Sequence, residues 1–141
     1  MTHDFYEFIT GSFIGMLGWF FGGIDGLFKV LIVFTIIDYI SGMTAAGFEH
    51  KISSDVGFKG IVKKCYMFMF VGLAHLIDDC LPGSTGALRA TVCLFYIANE
   101  GISIIENADK LNIPIPKFLR DRFLEIKGNQ RKNEKSEHEK S

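Results

Sequence analysis

Lysine and arginine are absent from the first eight residues, MTHDFYEF, so the chain lacks the positive region that opens a cleavable signal peptide. Cysteine is also scarce, with three residues, an odd number, and no CxxC or Cys/His ligand spacing. We therefore interpret Cys65, Cys80 and Cys93 as free thiols in packing positions, rather than as metal ligands or a redox pair.

The sequence also lacks the patterns on which enzyme sites are built. It contains no nucleophile with a neighbouring base, no glycine-rich phosphate loop and no cluster of metal-ligand residues. We therefore predict a protein that is not an enzyme and that uses neither a cofactor nor a metal. The net charge is only -1, and the basic residues are concentrated toward the C-terminal end, so nucleic acid is not indicated as a partner.

What the chain has in abundance is apolar surface. Hydrophobic residues make up 48% of its 141 residues, and phenylalanine alone occurs 14 times. This composition favours a membrane protein over an average soluble domain. The long apolar runs predict an all-α integral membrane bundle of four transmembrane helices, with three as the alternative. The predicted spans are residues 5–28, 27–48, 65–81 and 85–105.

The last predicted span carries its polar residues on one face. At about 100° per residue, they fall within about a third of the helix circumference. They are Arg89, Tyr96, Asn99, Glu100, Ser103, Glu106 and Asn107. A polar group without a partner costs several kcal/mol in lipid, so this face should turn toward other helices or water. By itself, the segment is also compatible with an amphipathic helix on a soluble core.

The second span places a carboxylate near its middle, at Asp38 in VLIVFTIIDYI. Counting inward from the C-terminal ends of the second and fourth spans puts Asp38 and Asn99 within about one turn of each other in depth. We therefore expect a buried polar layer formed by Asp38, Asn99, Glu100 and Ser103. If the helix boundary is misplaced, Asp38 would instead lie at a helix end.

Glycines recur along one face of the first apolar segment. They are Gly11, Gly15, Gly18, Gly22 and Gly26, and Gly42 lies on the small, polar face of the second span. A stripe of small residues lets another backbone approach closely, so we predict helix packing or subunit association at these positions. The alternative is a flexible or interfacial helix, because glycine weakens helices in water.

Charge placement predicts the orientation. Lysines and arginines cluster in residues 51–64 and from Lys110 onward, whereas the links near residue 25 and at 78–86 carry mainly acid. By the positive-inside rule, both basic segments and the C-terminus should be cytoplasmic. Arg89 is then expected to pair with Asp78 or Asp79 near the outer surface.

Three regions follow from this pattern. Residues 1–116 form the predicted transmembrane domain, 117–127 a short amphipathic helix at the cytoplasmic surface, and 128–141 a disordered, charged cytoplasmic tail. If residues 5–22 cross the membrane, both termini are inside. If they lie on the outer leaflet, the amino terminus is outside.

Four short motifs, in order, resemble a known family: DYISG, SSDVGFKGIVKK, YIANEGISIIEN and PIPKFL. They contribute Ser54, Gly57, Gly60, Lys63, Lys64, Tyr96, Glu106, Asn107, Pro114 and Pro116. Over about residues 38–119 the chain resembles the phage-lysis and toxin-secretion holins of Gram-positive phages and clostridia. It departs from that pattern at Asn112, where members often have glycine, and in its glycine-striped first segment.

The resemblance implies a protein of the bacterial cytoplasmic membrane that forms homo-oligomers and opens lesions. An endolysin or toxin would pass through as released cargo rather than as a bound ligand, and the partners would be the lipid bilayer and other copies of the chain. Two other classes stay open. A small ion or proton channel or transporter subunit would use Asp38 and Glu100 as its site, and an anti-holin would restrain a partner holin.

Overall fold

The computed structural model describes residues 2–125 and 128, without the side chains of residues 2 and 56. Four long helices follow in order: α1 (Thr2–Phe21), α2 (Gly26–Phe48), α3 (Ser54–Cys80) and α4 (Ala87–Lys110). A short helix, α5, covers residues 117–125. All regular structure in the described part is helical, which confirms the all-α fold. The predicted tail at 128–141 lies outside the described residues, apart from residue 128.

Three of these helices are long and apolar enough to cross a membrane. They are Gly26–Phe48, Gly57–Cys80 and Ala87–Lys110. The predicted first span is helical as α1 but is not one of the three, because Asp4 and Glu7 leave it an apolar run shorter than the roughly 20 residues that a span needs. The alternative of three spans therefore describes the structure better than four.

The third helix begins earlier than the sequence indicated. The third span is predicted from residue 65, after the basic segment 51–64, but α3 starts at Ser54, and Lys63 and Lys64 lie on it. Tyr39 of α2 packs on the glycine face of this region. A Cβ on Gly57 would lie 3.6 Å from the Tyr39 hydroxyl, and one on Gly60 would lie 3.8 Å from its ring, which are ordinary contact distances.

α4 packs against both α2 and α3 at the centre of the bundle. α2 and α4 run in the same direction, since Asp25 contacts Arg89 at one end and Asp38 contacts Asn107 toward the other. α3 runs the opposite way. The apolar core lies between these helices and consists of Phe28, Leu31, Met67, Val71, Cys93 and Ile97. Cys93 is fully buried there, whereas Cys65 and Cys80 are exposed free thiols.

The outward faces of the bundle are apolar. Ile36, Ile40 and Ile77 are about half exposed or more, as are many other large apolar side chains. A contiguous apolar surface of this kind is typical of a protein that meets lipid or other apolar helices. α1 touches the bundle near its C-terminal end, where the Phe20 ring lies over Gly72 and His75 lies over Gly22.

Candidate functional site

Lys64 reaches from α3 into the bundle and binds two carboxylates. Its Nζ donates to Asp38 Oδ2 on α2 at 2.6 Å and to Glu100 Oε2 on α4 at 2.5 Å. The three side chains are only 13 to 15% exposed. One ammonium group therefore ties together all three helices that are able to cross a membrane. We call Asp38, Lys64, Glu100 and Asn107 the polar layer.

Asn107 completes this layer on the side of α2. Its Nδ2 donates to Asp38 Oδ1 at 3.2 Å and to Ser41 Oγ at 3.0 Å. Gly42 lies beside it, since a Cβ on Gly42 would be 3.5 Å from Asn107 Nδ2. A Cβ at position 42 would make an ordinary contact with the amide, so Gly42 borders Asn107 without being required for its hydrogen bonds.

The polar layer overlaps the predicted one but is not identical to it. Asp38 and Glu100 belong to both, and each contacts Lys64, which the sequence pattern had assigned to a basic cytoplasmic segment. Asn99 and Ser103 instead line an adjacent cavity of about 570 Å³. The sequence did carry a signal for Lys64, because Gly57, Gly60 and Lys64 are spaced by three and four residues and so share one face of a helix.

Two cavities flank the polar layer. The cavity of about 570 Å³ lies between α3 and α4 and is also lined by Lys63, Tyr96 and Glu106. A second cavity, of about 350 Å³, extends toward the loop after α2 and includes Lys51 and Lys110 among its lining residues. Asp38, Gly60, Lys64 and Ser103 line both cavities. The charged atoms therefore border open polar space on two sides.

The charges of this layer depend on one another. A single lysine sits between two carboxylates, so the fully ionised cluster carries a net charge of -1. Buried charges are tolerated when they are paired and hydrogen-bonded, and removing one partner leaves an uncompensated charge. Lys64 is thus the residue whose loss would leave both Asp38 and Glu100 without their cation.

A second polar cluster closes the other end of the bundle. The Arg89 guanidinium donates to the Phe21 carbonyl at 2.6 Å, to Asp25 Oδ2 at 2.6 Å and to the Gly23 carbonyl at 3.0 Å. It also lies 5.6 Å from the centre of the Phe28 ring. Through these hydrogen bonds, Arg89 of α4 binds the turn between α1 and α2.

These contacts correct the predicted pair of Arg89 with Asp78 or Asp79. Asp78 instead accepts from the N–H groups of Leu88 and Arg89 and from Ser84 Oγ, at 3.3, 2.7 and 2.6 Å. The first N–H groups of a helix have no partner within the helix, which is why a carboxylate is favoured there. Asp79 lies 3.6 Å from His75 Nε2.

Asp25 has two roles in this cluster. Besides pairing with Arg89, it caps α2 by accepting from the Phe28 N–H at 2.8 Å. The hydrogen bond from Arg89 holds the pKa of the Asp25 carboxyl below its usual value, the cap adds to this, and partial burial opposes it.

The glycine stripe is shorter than predicted. Gly11, Gly15 and Gly18 lie on α1, and a Cβ on any of them would meet nothing within 4 Å. Gly22 follows the end of α1 with a φ of 72°, a conformation that glycine adopts readily, and Gly26 begins α2. Within one chain the stripe on α1 is therefore an open surface, and its predicted role in subunit association stays a prediction.

Three further motif residues lie at helix boundaries. Ser54 begins α3, and Pro114 and Pro116 lie in the link from α4 to α5. Proline cannot donate a backbone hydrogen bond and restricts the residue before it, so this pair suits the break between two helices.

Comparison with known proteins agrees with the motifs. The model of the bacteriophage holin family matches residues 15–128. An uncharacterized protein of Listeria monocytogenes is 42% identical over 113 residues, covering 80% of each chain. An uncharacterized protein of Clostridium perfringens is 36% identical over 115 residues, covering 81% of this chain and 85% of that protein.

A third relative, uncharacterized protein YqxH of Bacillus subtilis, is 37% identical over 121 residues, covering 86% of this chain and 84% of that protein. No solved structure matches the chain. The match to the family model spans most of the sequence, including all three helices able to cross a membrane. The chain is therefore a membrane protein that belongs to the bacteriophage holin family.

Proposed function

We propose that this protein is a holin, which oligomerises in the bacterial cytoplasmic membrane and opens lesions that release an endolysin or a toxin. The observation that carries the proposal, beside membership of the family, is the polar layer. Three membrane-crossing helices hold Lys64, Asp38 and Glu100 at a depth where each charge is unfavourable in lipid. The proposed role is mechanical rather than enzymatic.

The polar layer suits a protein that exists both as a dispersed chain and as an assembly of many copies. In a dispersed chain, Lys64 neutralises one of the two carboxylate charges inside the bundle. When many copies associate, the same residues can face a water-filled lesion, where exposed ion pairs contribute only about 0 to 1 kcal/mol and charges are well solvated. Water therefore stabilises an opened polar face that lipid would not tolerate.

The proposed topology follows from charge placement. With three spans, α2 enters the cytoplasm, α3 returns and α4 enters again, so that the link after α4 and the C-terminus are on the cytoplasmic side. The link with Lys51 and the residues from Lys110 onward then lie on the same side. α1 lies on the outer side, where its open glycine face is available to another copy.

The test is to induce the gene alone in a bacterium and follow membrane potential and growth, and then to co-express a cytoplasmic endolysin that lacks a secretion signal. A holin should collapse the membrane potential and make cells lyse only when the endolysin is present. The control is the endolysin alone. Abundant wild-type protein in the membrane, without loss of potential or release of the endolysin, would overturn the proposal.

The two cavities beside Lys64 favour a second candidate, a narrow cation or proton path. They give the charged layer open polar borders on both sides. A channel or transporter subunit would give saturable, ion-selective flux and would retain a protein-sized cargo. An anti-holin would instead leave cells growing and delay lysis by a partner holin.

A further inference from the structure

The pair formed by α2 and α4 has two lateral grooves, and they are filled differently. On one side α3 packs, and Lys64 reaches Asp38 on α2 and Glu100 on α4. On the other side lies α5, whose Phe123 ring is 5.8 Å from the Phe34 ring of α2, edge to face. The same ring meets α4 at Gly101, where a Cβ would lie 2.6 Å from the nearest Phe123 carbon. Residue 101 thus has to be glycine for this ring to fit.

The position of α5 differs from the predicted one at the cytoplasmic surface of the membrane. Gly101 lies nine residues before Lys110, which is about 13 Å back along α4 from its C-terminal end. α5 therefore folds back along the bundle, and an ion pair between Arg120 and Asp109 joins it to α4 near the bend. Both side chains of that pair are about half exposed, so its contribution is small.

The outer face of α5 is charged. Arg122 and Glu125 pair with each other at 3.1 Å, and their side chains are 76% and 58% exposed. Such a face is unfavourable against lipid, and it also prevents another apolar helix from packing over the groove. Among the described residues, the Phe123 ring and the exposed Arg120–Asp109 ion pair join α5 to α2 and α4, while the surrounding bilayer favours its release.

From these contacts we infer that α5 is a releasable strap over the second α2–α4 groove, and that its release uncovers the Phe34–Gly101 surface for a helix of a second copy. The inference rests on the proposed function. It adds that α5, while bound in the groove, prevents two copies from associating there. A second copy is the occupant that fits, because the uncovered surface is apolar, has a small residue for close approach, and lies on the pair of helices that already accepts α3 on its other side.

The test compares variants of the full chain in bacterial membranes by chemical cross-linking at low expression. Phe123→Ala removes the ring and should raise the oligomer fraction by about fivefold, a factor within the range expected for one aromatic contact. Adding Gly101→Ala to Phe123→Ala places a methyl group on the uncovered surface and should lower the oligomer fraction again. The control is Phe118→Ala, which trims an aromatic side chain of α5 that is 70% exposed.

A photoreactive phenylalanine analogue at position 123 gives a second measurement. In the monomer fraction it should cross-link within the chain to the region of Phe34, and in the oligomer fraction that product should fall. An oligomer fraction for Phe123→Ala that equals or falls below that of Phe118→Ala would overturn the strap. Because cross-linking is read whether or not cells lyse, a wild-type chain that fails to permeabilise membranes overturns only the proposed function.

Discussion

Lys64 and Glu100 meet across the α3–α4 interface with Nζ 2.5 Å from Oε2, and the same Nζ binds Asp38 on α2. Neither carboxylate has a second lysine or arginine among its ion pairs in the described residues. The stability of the three-helix unit therefore depends on one side chain more than on any other in this layer.

Lys64→Met tests that dependence. Replacing the ammonium leaves two buried carboxylates facing each other, and breaking a buried pair in this way costs about 3–5 kcal/mol. We expect a lower thermal midpoint for the purified protein in detergent and less protein in the membrane. Lys63→Met, one residue away, should have a much smaller effect. Combining Lys64→Met with Asp38→Asn and Glu100→Gln should restore most of the stability, and failure to do so would mean that charge is not the cause.

Two substitutions of Glu100 distinguish a structural role of this side chain from a role in lining a lesion. Glu100→Gln keeps the shape and a hydrogen-bonding oxygen, whereas Glu100→Leu removes both. If the layer holds the bundle together, Gln should disturb oligomer formation less than Leu, by about 1–2 kcal/mol. If the charge lines a wet lesion, both variants should form oligomers but change the onset of permeability. Wild-type behaviour of Glu100→Leu in both assays would remove Glu100 from the site.

Asp25 should make stability depend on pH at the acidic end. Because Arg89 and the cap lower its pKa in the folded protein, its contribution is present above the unfolded value of 3.8 and is lost as pH falls through the folded value. Thermal unfolding in detergent should therefore show a loss below about pH 4 that is smaller in Asp25→Asn. An unchanged slope in that variant would show that other carboxylates account for the loss.

The open glycines of α1 should matter only between copies. Gly15→Leu with Gly18→Leu fills a surface that touches nothing within one chain, so the monomer should stay folded while oligomers weaken and lysis shifts in time. Ile14→Leu with Met16→Leu, which alters neighbouring apolar positions on the same helix, is the matched control. Equal effects from the two pairs would show that the stripe is not an interface.

Labelling of single cysteines tests the topology. With the three native cysteines replaced, a cysteine at position 55 should be protected from a membrane-impermeant reagent in intact cells, and one at position 84 should react. Labelling of position 55 from outside would reverse the proposed orientation.

Hydropathy and periodicity were sufficient to predict an all-helical fold and the second helix to within a residue, whereas the fourth predicted span ends five residues before α4 does. They failed at the start of α3, because glycines and lysines between 51 and 64 resemble a loop when read without their partners. Tyr39 fills the space over Gly57 and Gly60, and a carboxylate on each of two other helices stabilises Lys64. Those partners lie far away in sequence, so local pattern did not identify them.

Local sequence pattern also failed to identify the partner of Arg89. Asp78 and Asp79 are near Arg89 along the chain, and charge alone made either a suitable partner. In the structure, Asp78 accepts the N–H groups at the start of α4, a requirement of every helix terminus, and Asp25 becomes the partner of the guanidinium. The turn between α1 and α2 brings Asp25 there, and its geometry depends on the positive φ angles of Gly22 and Gly23.

The two ion pairs of Lys64 limit how α3 can move. If α3 slid along α2 by one turn, Lys64 Nζ would shift by about 5.4 Å, beyond the reach of hydrogen bonds to Asp38 and Glu100. Gly57 and Gly60 would not oppose that slide, because they are three residues apart and one would move close to the place of the other beside the Tyr39 ring. The ammonium group of Lys64 therefore sets the register of α3 against its two neighbours.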